Sequence, residues 1–153
     1  MDRDSDRVRR SPDVLGEQEM TIHYTTNILI VDDSSAVRSV VRKLLTQLGF
    51  KNLDEASDGE AALAKLSEKN FGLVIADWNM NPMSGQLLLL NVRANKQYAN
   101  LPFIMMTADS TIDKIIQAKN AGVTSFIKKP FRADELQAKI LQTNTTNRLT
   151  ATA

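Results

Sequence analysis

At 153 residues the chain holds enough material for one domain with a sizeable core and too little for two. An apolar share of 42%, a charged share of 24% and a net charge of +1 describe a globular protein with no bulk field for nucleic acid or an anionic membrane. The absence of cysteine excludes disulfides, thiolate metal centres and a thiol nucleophile, and apolar runs such as LLLL at 87–90 fall far short of the roughly 18 residues that cross a bilayer.

Residues 1–25 carry four Arg against four Asp and two Glu, with few apolar residues at any regular spacing. They are expected to form a poorly ordered extension. No charged-then-apolar signal peptide opens the chain, so a cytoplasmic location is the expectation. The compact part is placed at 26–142, although Met20 is an alternative start, and the Thr-rich stretch 143–153 reads as a flexible tail.

Within 26–142 strand and helix signals alternate. Ile28–Val31 is a short β-branched run suited to a buried strand. Val37, Val40, Val41, Leu44, Leu45 and Leu48 then repeat at helical spacing; Ser34 or Ser35 would cap that helix and Gly49 would end it. Asn52–Ala56 is a weaker strand, followed by a helix capped by Asp58 and carrying Ala62, Leu63 and Leu66. Leu73–Ala76 is a clear buried strand, and Leu87–Val92 lies on a third helix. Phe103–Met106 is a fourth strand; Ile112, Ile115 and Ile116 mark a fourth helix that stops near Gly122. Ser125–Lys128 is a fifth strand, and Leu136, Ile140 and Leu141 mark a last helix. Strands this apolar cannot face water on either side. Five strand–helix repeats therefore predict a doubly wound α/β fold, a five-stranded parallel sheet with helices on both faces.

Polar residues follow the strong strands: Asp32 and Asp33 after the first, Asp77 after the third, Thr107 after the fourth, Lys128 and Lys129 after the fifth. In an open parallel sheet ligands bind beyond the carboxyl ends of the strands, where the winding reverses. Three carboxylates, a hydroxyl and an amine would meet there. Two carboxylates about 4 Å apart repel by roughly 4 kcal/mol at an effective dielectric near 20, so a cation is needed to hold three together. Mg²⁺ suits such an oxygen set. A bound metal favours phosphate nearby, which Lys129 and Thr107 can hold, and the remaining carboxylate becomes the natural nucleophile for an aspartyl-phosphate.

The motifs VDDS (31–34), DWNM (77–80), MTAD (106–109) and KKPF (128–131), in that order, resemble those of the receiver domain of two-component response regulators. The likeness is strongest to its single-domain, chemotaxis-type (CheY-like) members. It covers about residues 26–142 and implies the flavodoxin-like strand order 2-1-3-4-5, which is carried over from the family. It implies that Asp77 is the phospho-acceptor, charged by the phosphohistidine of a sensor histidine kinase. It implies Mg²⁺ held by Asp33, Asp77 and the backbone carbonyl of Asn79, with Asp32 acting through a metal-bound water. Thr107 and Lys129 would hold the phosphoryl oxygens, and Thr107 would move inward with the switch aromatic Phe126. Asn79 and Asp109 match positions that tune spontaneous hydrolysis, and the Lys129–Pro130 bond is often cis. The chain would not be an enzyme, beyond assisting its own phosphorylation and dephosphorylation.

Two departures stand out. Proline falls one place later than usual in Met80-Asn81-Pro82-Met83-Ser84-Gly85, so the loop after Asp77 is expected to differ in shape. The switch aromatic is Phe126 rather than tyrosine, and it reads equally as core filler. Lys128 reads as a surface charge, Trp78 as packing beside Asp77, His23 as part of the extension, and Met105 and Met106 as core.

With only a short polar tail after residue 142, output is expected to be a protein–protein contact, through a segment (111–142) that holds six Lys/Arg against three acids. The partner would be a flagellar motor switch protein or, alternatively, a histidine phosphotransfer protein in a phosphorelay; neither nucleic acid nor membrane is expected as a partner, and the chain is expected to be a monomer. A nucleotide-binding enzyme of the same architecture needs a Gly-rich first turn, and no glycine occurs from 17 to 48. A haloacid-dehalogenase-type phosphatase needs Asp-x-Asp after the first strand, where this chain has Asp32-Asp33-Ser34.

Overall fold

The computed structural model describes residues 22–144. Five strands, β1 (Ile28–Val31), β2 (Leu53–Ala56), β3 (Leu73–Asp77), β4 (Phe103–Thr107) and β5 (Ser125–Lys128), pair in parallel in the order 2-1-3-4-5. They alternate with α1 (Ser35–Gln47), α2 (Gly59–Glu68), α3 (Gly85–Ala94), α4 (Ile112–Ala121) and α5 (Ala133–Thr143). The expected fold and strand order are both present.

Period-two alternation sends each strand's side chains to two separate cores. Leu29, Val31, Val74, Ala76, Phe103 and Met105 pack with α2, α3 and α4 through Leu66, Leu88, Leu89 and Ala118. Ile28, Ile30, Leu73, Ile75, Ile104 and Met106 pack on the other face with α1 and α5 through Val41, Leu45, Leu136 and Ile140. With helices on both faces, β1, β3 and β4 are buried along their whole length. That is why their sequences read as unbroken apolar runs.

Local chemistry sets the helix ends. Ser34, Asp58 and Ser84 each accept a hydrogen bond from a backbone N–H in the first turn of α1, α2 and α3. Gly49 (φ 102°) and Gly122 (φ 95°) take the left-handed conformation where α1 and α4 stop.

Three readings need correction. Val40 and Leu141 continue the helical spacing on α1 and α5 yet lie on the surface. On α4, Ile112 is 75% and Ile116 49% exposed, and the helix is buried through Ala118 and Ala121 instead. It lies beside α3, where small side chains permit the close approach. The ordered body is also longer than 26–142. Ile22 is buried against the α1–α5 core, its N–H donates to Asn144 Oδ1 at 2.7 Å, and the Tyr24 ring lies 5.4 Å from that of Phe50. His23 thus belongs to the body, and α5 runs on to Thr143. The rest of the expected extension (1–21) and tail (145–153) lies outside the described residues. Among the described residues no helix is long and apolar enough to cross a membrane.

Candidate functional site

The winding reverses at β1, which has β2 on one side and β3 on the other. Val31 lies opposite Ala76 in the register, so Asp32 and Asp77, the next residues along, emerge side by side. Oxygens of Asp32, Asp33 and Asp77 lie within 4.8 Å of one another. Asp32 and Asp77 are buried and Asp33 is exposed. The loop from β5 brings in Lys129, whose Nζ lies 2.8 Å from Asp77 Oδ1 and 3.6 Å from Asp32 Oδ2.

The two oxygens of Asp32 differ. Oδ1 accepts the Ser34 N–H at 2.9 Å, whereas Oδ2 is buried with no hydrogen-bond partner, 3.6 Å from the ammonium. A buried carboxylate oxygen left without a hydrogen bond is costly. Burial is the strongest influence on Asp32 and pushes its pKa above the ordinary 3.8; the Ser34 N–H opposes this, the charge of Asp77 adds to it, Lys129 opposes and Asp33 adds. Burial pulls the Lys129 ammonium down most strongly, but the hydrogen bond and charge of Asp77, with the charge of Asp32, outweigh it and leave its pKa above 10.5.

Three clustered carboxylates, one with an oxygen lacking a hydrogen bond, fit a hard divalent cation that binds through oxygen. Lys129 alone cannot neutralise all three, and a cation would satisfy the Asp32 oxygen as well.

The remaining expected residues surround this cluster. Thr107 ends β4 on the same edge and is buried, but its hydroxyl donates to the Asp109 carbonyl (2.7 Å) and accepts the Asp109 N–H (3.0 Å). Asp109 is exposed and caps the following turn through the Thr111 N–H. Asn79 is exposed just beyond Trp78. Phe126 is half-buried, with Lys139 Nζ 5.5 Å from its ring centroid. Among the described residues, Thr107, Asn79, Asp109 and Phe126 make no hydrogen bond or ion pair with the acid cluster. Lys128 is exposed, and Trp78 is buried under Lys114, whose Nζ lies 4.6 Å from the ring centroid.

The loop after β3 is pinned at both ends: the Trp78 N–H donates to the Met106 carbonyl and the Gly85 N–H to the Trp78 carbonyl, each at 2.8 Å. Both Asn81–Pro82 and Lys129–Pro130 are cis. Sequence reasoning missed two parts of the site. Ser34 was expected only as a helix cap, yet its N–H also holds Asp32. Arg38 Nη1 donates to the Asp32 carbonyl at 2.6 Å. Its place in the VDDS motif could have flagged Ser34, but nothing local flags Arg38, which depends on the helix folding back over its own loop.

The response regulator receiver domain matches residues 28–141 of this chain. Chemotaxis protein CheY-3 of Vibrio cholerae serotype O1 is 44% identical over 122 residues, 80% of this chain and 94% of that protein. Chemotaxis protein CheY of Pseudomonas aeruginosa is 47% identical over 113 residues, 74% of this chain and 91% of that protein. The solved structure of Vibrio cholerae chemotaxis protein CheY4 matches with a TM-score of 0.73 and 32% identity, over 77% of this chain and 98% of the other. Family match, relatives and sheet topology agree: the chain belongs to the response regulator receiver domain family, among its CheY-like members.

Proposed function

We propose that this two-component response regulator accepts a phosphoryl group on Asp77 from the phosphohistidine of a sensor histidine kinase. A Mg²⁺ ion would be held by Asp33, Asp77 and the Asn79 carbonyl, with Asp32 acting through a bound water. The observation that carries the reading is the Asp32–Asp33–Asp77 cluster at the winding reversal, with Lys129 already on Asp77.

In the transfer, an Asp77 carboxylate oxygen attacks phosphorus, the P–N bond to the imidazole breaks, and a P–O bond forms. Lys129, 2.8 Å from Oδ1, balances negative charge on the acceptor and on the incoming phosphoryl oxygens. Mg²⁺, when bound, supplies charge neutralisation for the phosphoryl group. Ser34 holds Asp32 through Oδ1, so its carboxylate stays oriented. Thr107 would exchange its bond to the Asp109 carbonyl for one to a phosphoryl oxygen, with Phe126 moving alongside. Asn79 and Asp109, exposed at the rim, would govern water access and hence the lifetime of the acyl phosphate. The chain is thus a phospho-acceptor that assists its own modification, without turnover on a separate substrate. Relatives named as chemotaxis proteins support an output in that pathway, which would run through a protein–protein contact in the cytoplasm.

Acetyl phosphate with Mg²⁺, read by intact-protein mass, tests this. The protein should gain one phosphoryl group, and Asp77→Asn should gain none. Steady hydrolysis without an accumulated adduct, or an adduct on Asp77→Asn, overturns the assignment.

A further inference from the structure

We infer that Arg38, locked by Glu55, is a positioning residue that holds the Asp32–Asp33 peptide in the geometry the metal site needs; this rests on reading the three acids as cation ligands. The exposed Asp33 carboxylate makes no hydrogen bond or ion pair among the described residues. Only its backbone can place it. The residue before it is tied through both backbone groups: the Asp32 N–H donates to the Ala56 carbonyl at 3.2 Å, and the Asp32 carbonyl, in the peptide that leads into Asp33, accepts from Arg38 Nη1 at 2.6 Å. The second contact is short and charge-assisted, among the stronger kinds of hydrogen bond.

Arg38 is itself fixed. Its Nε donates to Glu55 Oε1 at 2.8 Å, and its side chain is 17% exposed. Helix α1 supplies the arginine, β2 the carboxylate and the β1–α1 loop the carbonyl, so one planar fork joins three segments.

The same carboxylate supplies a control. Glu55 Oε2 accepts from Arg42 Nε at 2.7 Å, and Arg42 Nη2 donates to the Leu53 carbonyl at 3.1 Å, on β2. Arg42 stands one helical turn from Arg38 and shares its partner, but has no bond to the acidic loop. The two arginines therefore separate three explanations. A general structural role predicts that losing either weakens metal binding alike. A charge effect predicts tighter binding when a nearby cation is removed. Positioning predicts weaker binding for Arg38 alone.

The experiment is calorimetric titration of Mg²⁺ into the full chain, wild type against Arg38→Met, Arg38→Lys and Arg42→Met, with a thermal melt of each. Arg38→Met should bind about tenfold more weakly, as loss of a partner behind a metal ligand usually does. Arg38→Lys should also bind more weakly, because an ammonium keeps the charge but not the fork. Arg42→Met should keep wild-type affinity even where its melting temperature falls. Unchanged or tighter binding by Arg38→Met, or equal weakening in Arg42→Met, overturns the inference. Should Arg38→Met not fold, Arg38→Lys is read in its place, with wild-type affinity as the overturning result. A wild type that takes up no Mg²⁺ overturns instead the metal reading beneath it.

Discussion

Replacing Lys129 with methionine removes the ammonium while keeping a flexible stem of similar reach. That ammonium faces Asp77 Oδ1 at 2.8 Å and Asp32 Oδ2 at 3.6 Å. A unit charge pair about 4 Å apart is worth ~4 kcal/mol at an effective dielectric near 20. Desolvation of the ammonium offsets much of this, yet removing one partner of a buried pair strands the other and costs about 3–5 kcal/mol. The Lys129 side chain is 25% exposed, which places the expected loss at the low end. A loss of ~3 kcal/mol corresponds to a fall of about 10 °C in melting temperature for a domain of this size. The assay is thermal unfolding by circular dichroism, wild type against Lys129→Met, at pH 7 with and without saturating Mg²⁺. The gap should be widest without metal and shrink when the divalent cation restores positive charge to the cluster. Equal melting temperatures in metal-free buffer, or a gap that Mg²⁺ leaves unchanged, would refute the reasoning.

Asp32 governs an acid-range effect. Its folded pKa is raised above 3.8, chiefly by burial, so its contribution to stability is full below 3.8 and is lost as pH rises through the folded value. Glu55 runs the other way: the Arg42 hydrogen bond, above all, lowers its pKa, so its contribution is present above 4.5 and is lost as pH falls through the folded value. The stability difference between metal-free wild type and Asp32→Asn isolates the first effect and should decline as pH rises from 3.8 toward neutrality, whereas a flat difference in a denaturant titration would contradict it. Asp33→Ala removes one of three crowded charges and should raise the metal-free melting temperature while weakening Mg²⁺ uptake; a lower metal-free melting temperature counts against like-charge strain. In Gly85→Ala the new methyl would overlap the Asp77 carbonyl oxygen and sit 2.9 Å from Met105 Sδ, which predicts a loss of about 1–3 kcal/mol and impaired phosphorylation. A melting temperature equal to wild type would show that the loop yields freely.

Much of this molecule is legible in its amino-acid sequence. Leu73–Ala76 and Phe103–Met106 could only be interior strands, because uninterrupted apolar runs of that length need cover on both faces. Asp32, Asp77, Thr107 and Lys129 each lie at or just beyond the carboxyl end of a strand, and parallel pairing necessarily gathers those ends on one edge. Other features resisted reading. Helical spacing shows that α4 is a helix but not which stripe is covered, and the neighbouring α3 selected Ala118 and Ala121 over Ile112 and Ile116. Ile22 is tied to Asn144 by a hydrogen bond between residues 122 positions apart, which no local pattern announces.

Element types, strand ends and helix caps depend on neighbours within a turn or two, so the amino-acid order alone determines them. Whether a particular oxygen finds a partner depends on segments that meet only after folding. Asp32 Oδ1 is held by Ser34 two residues away, while the environment of Oδ2 is decided by β3 and the loop after β5, which bring Asp77 and Lys129 beside it. Likewise Arg38 reaches the Asp32 carbonyl because α1 packs back over β1 and β2 supplies Glu55. Tertiary structure alone decided these contacts, since hydrogen bonding acts over about 3 Å whatever the separation along the chain.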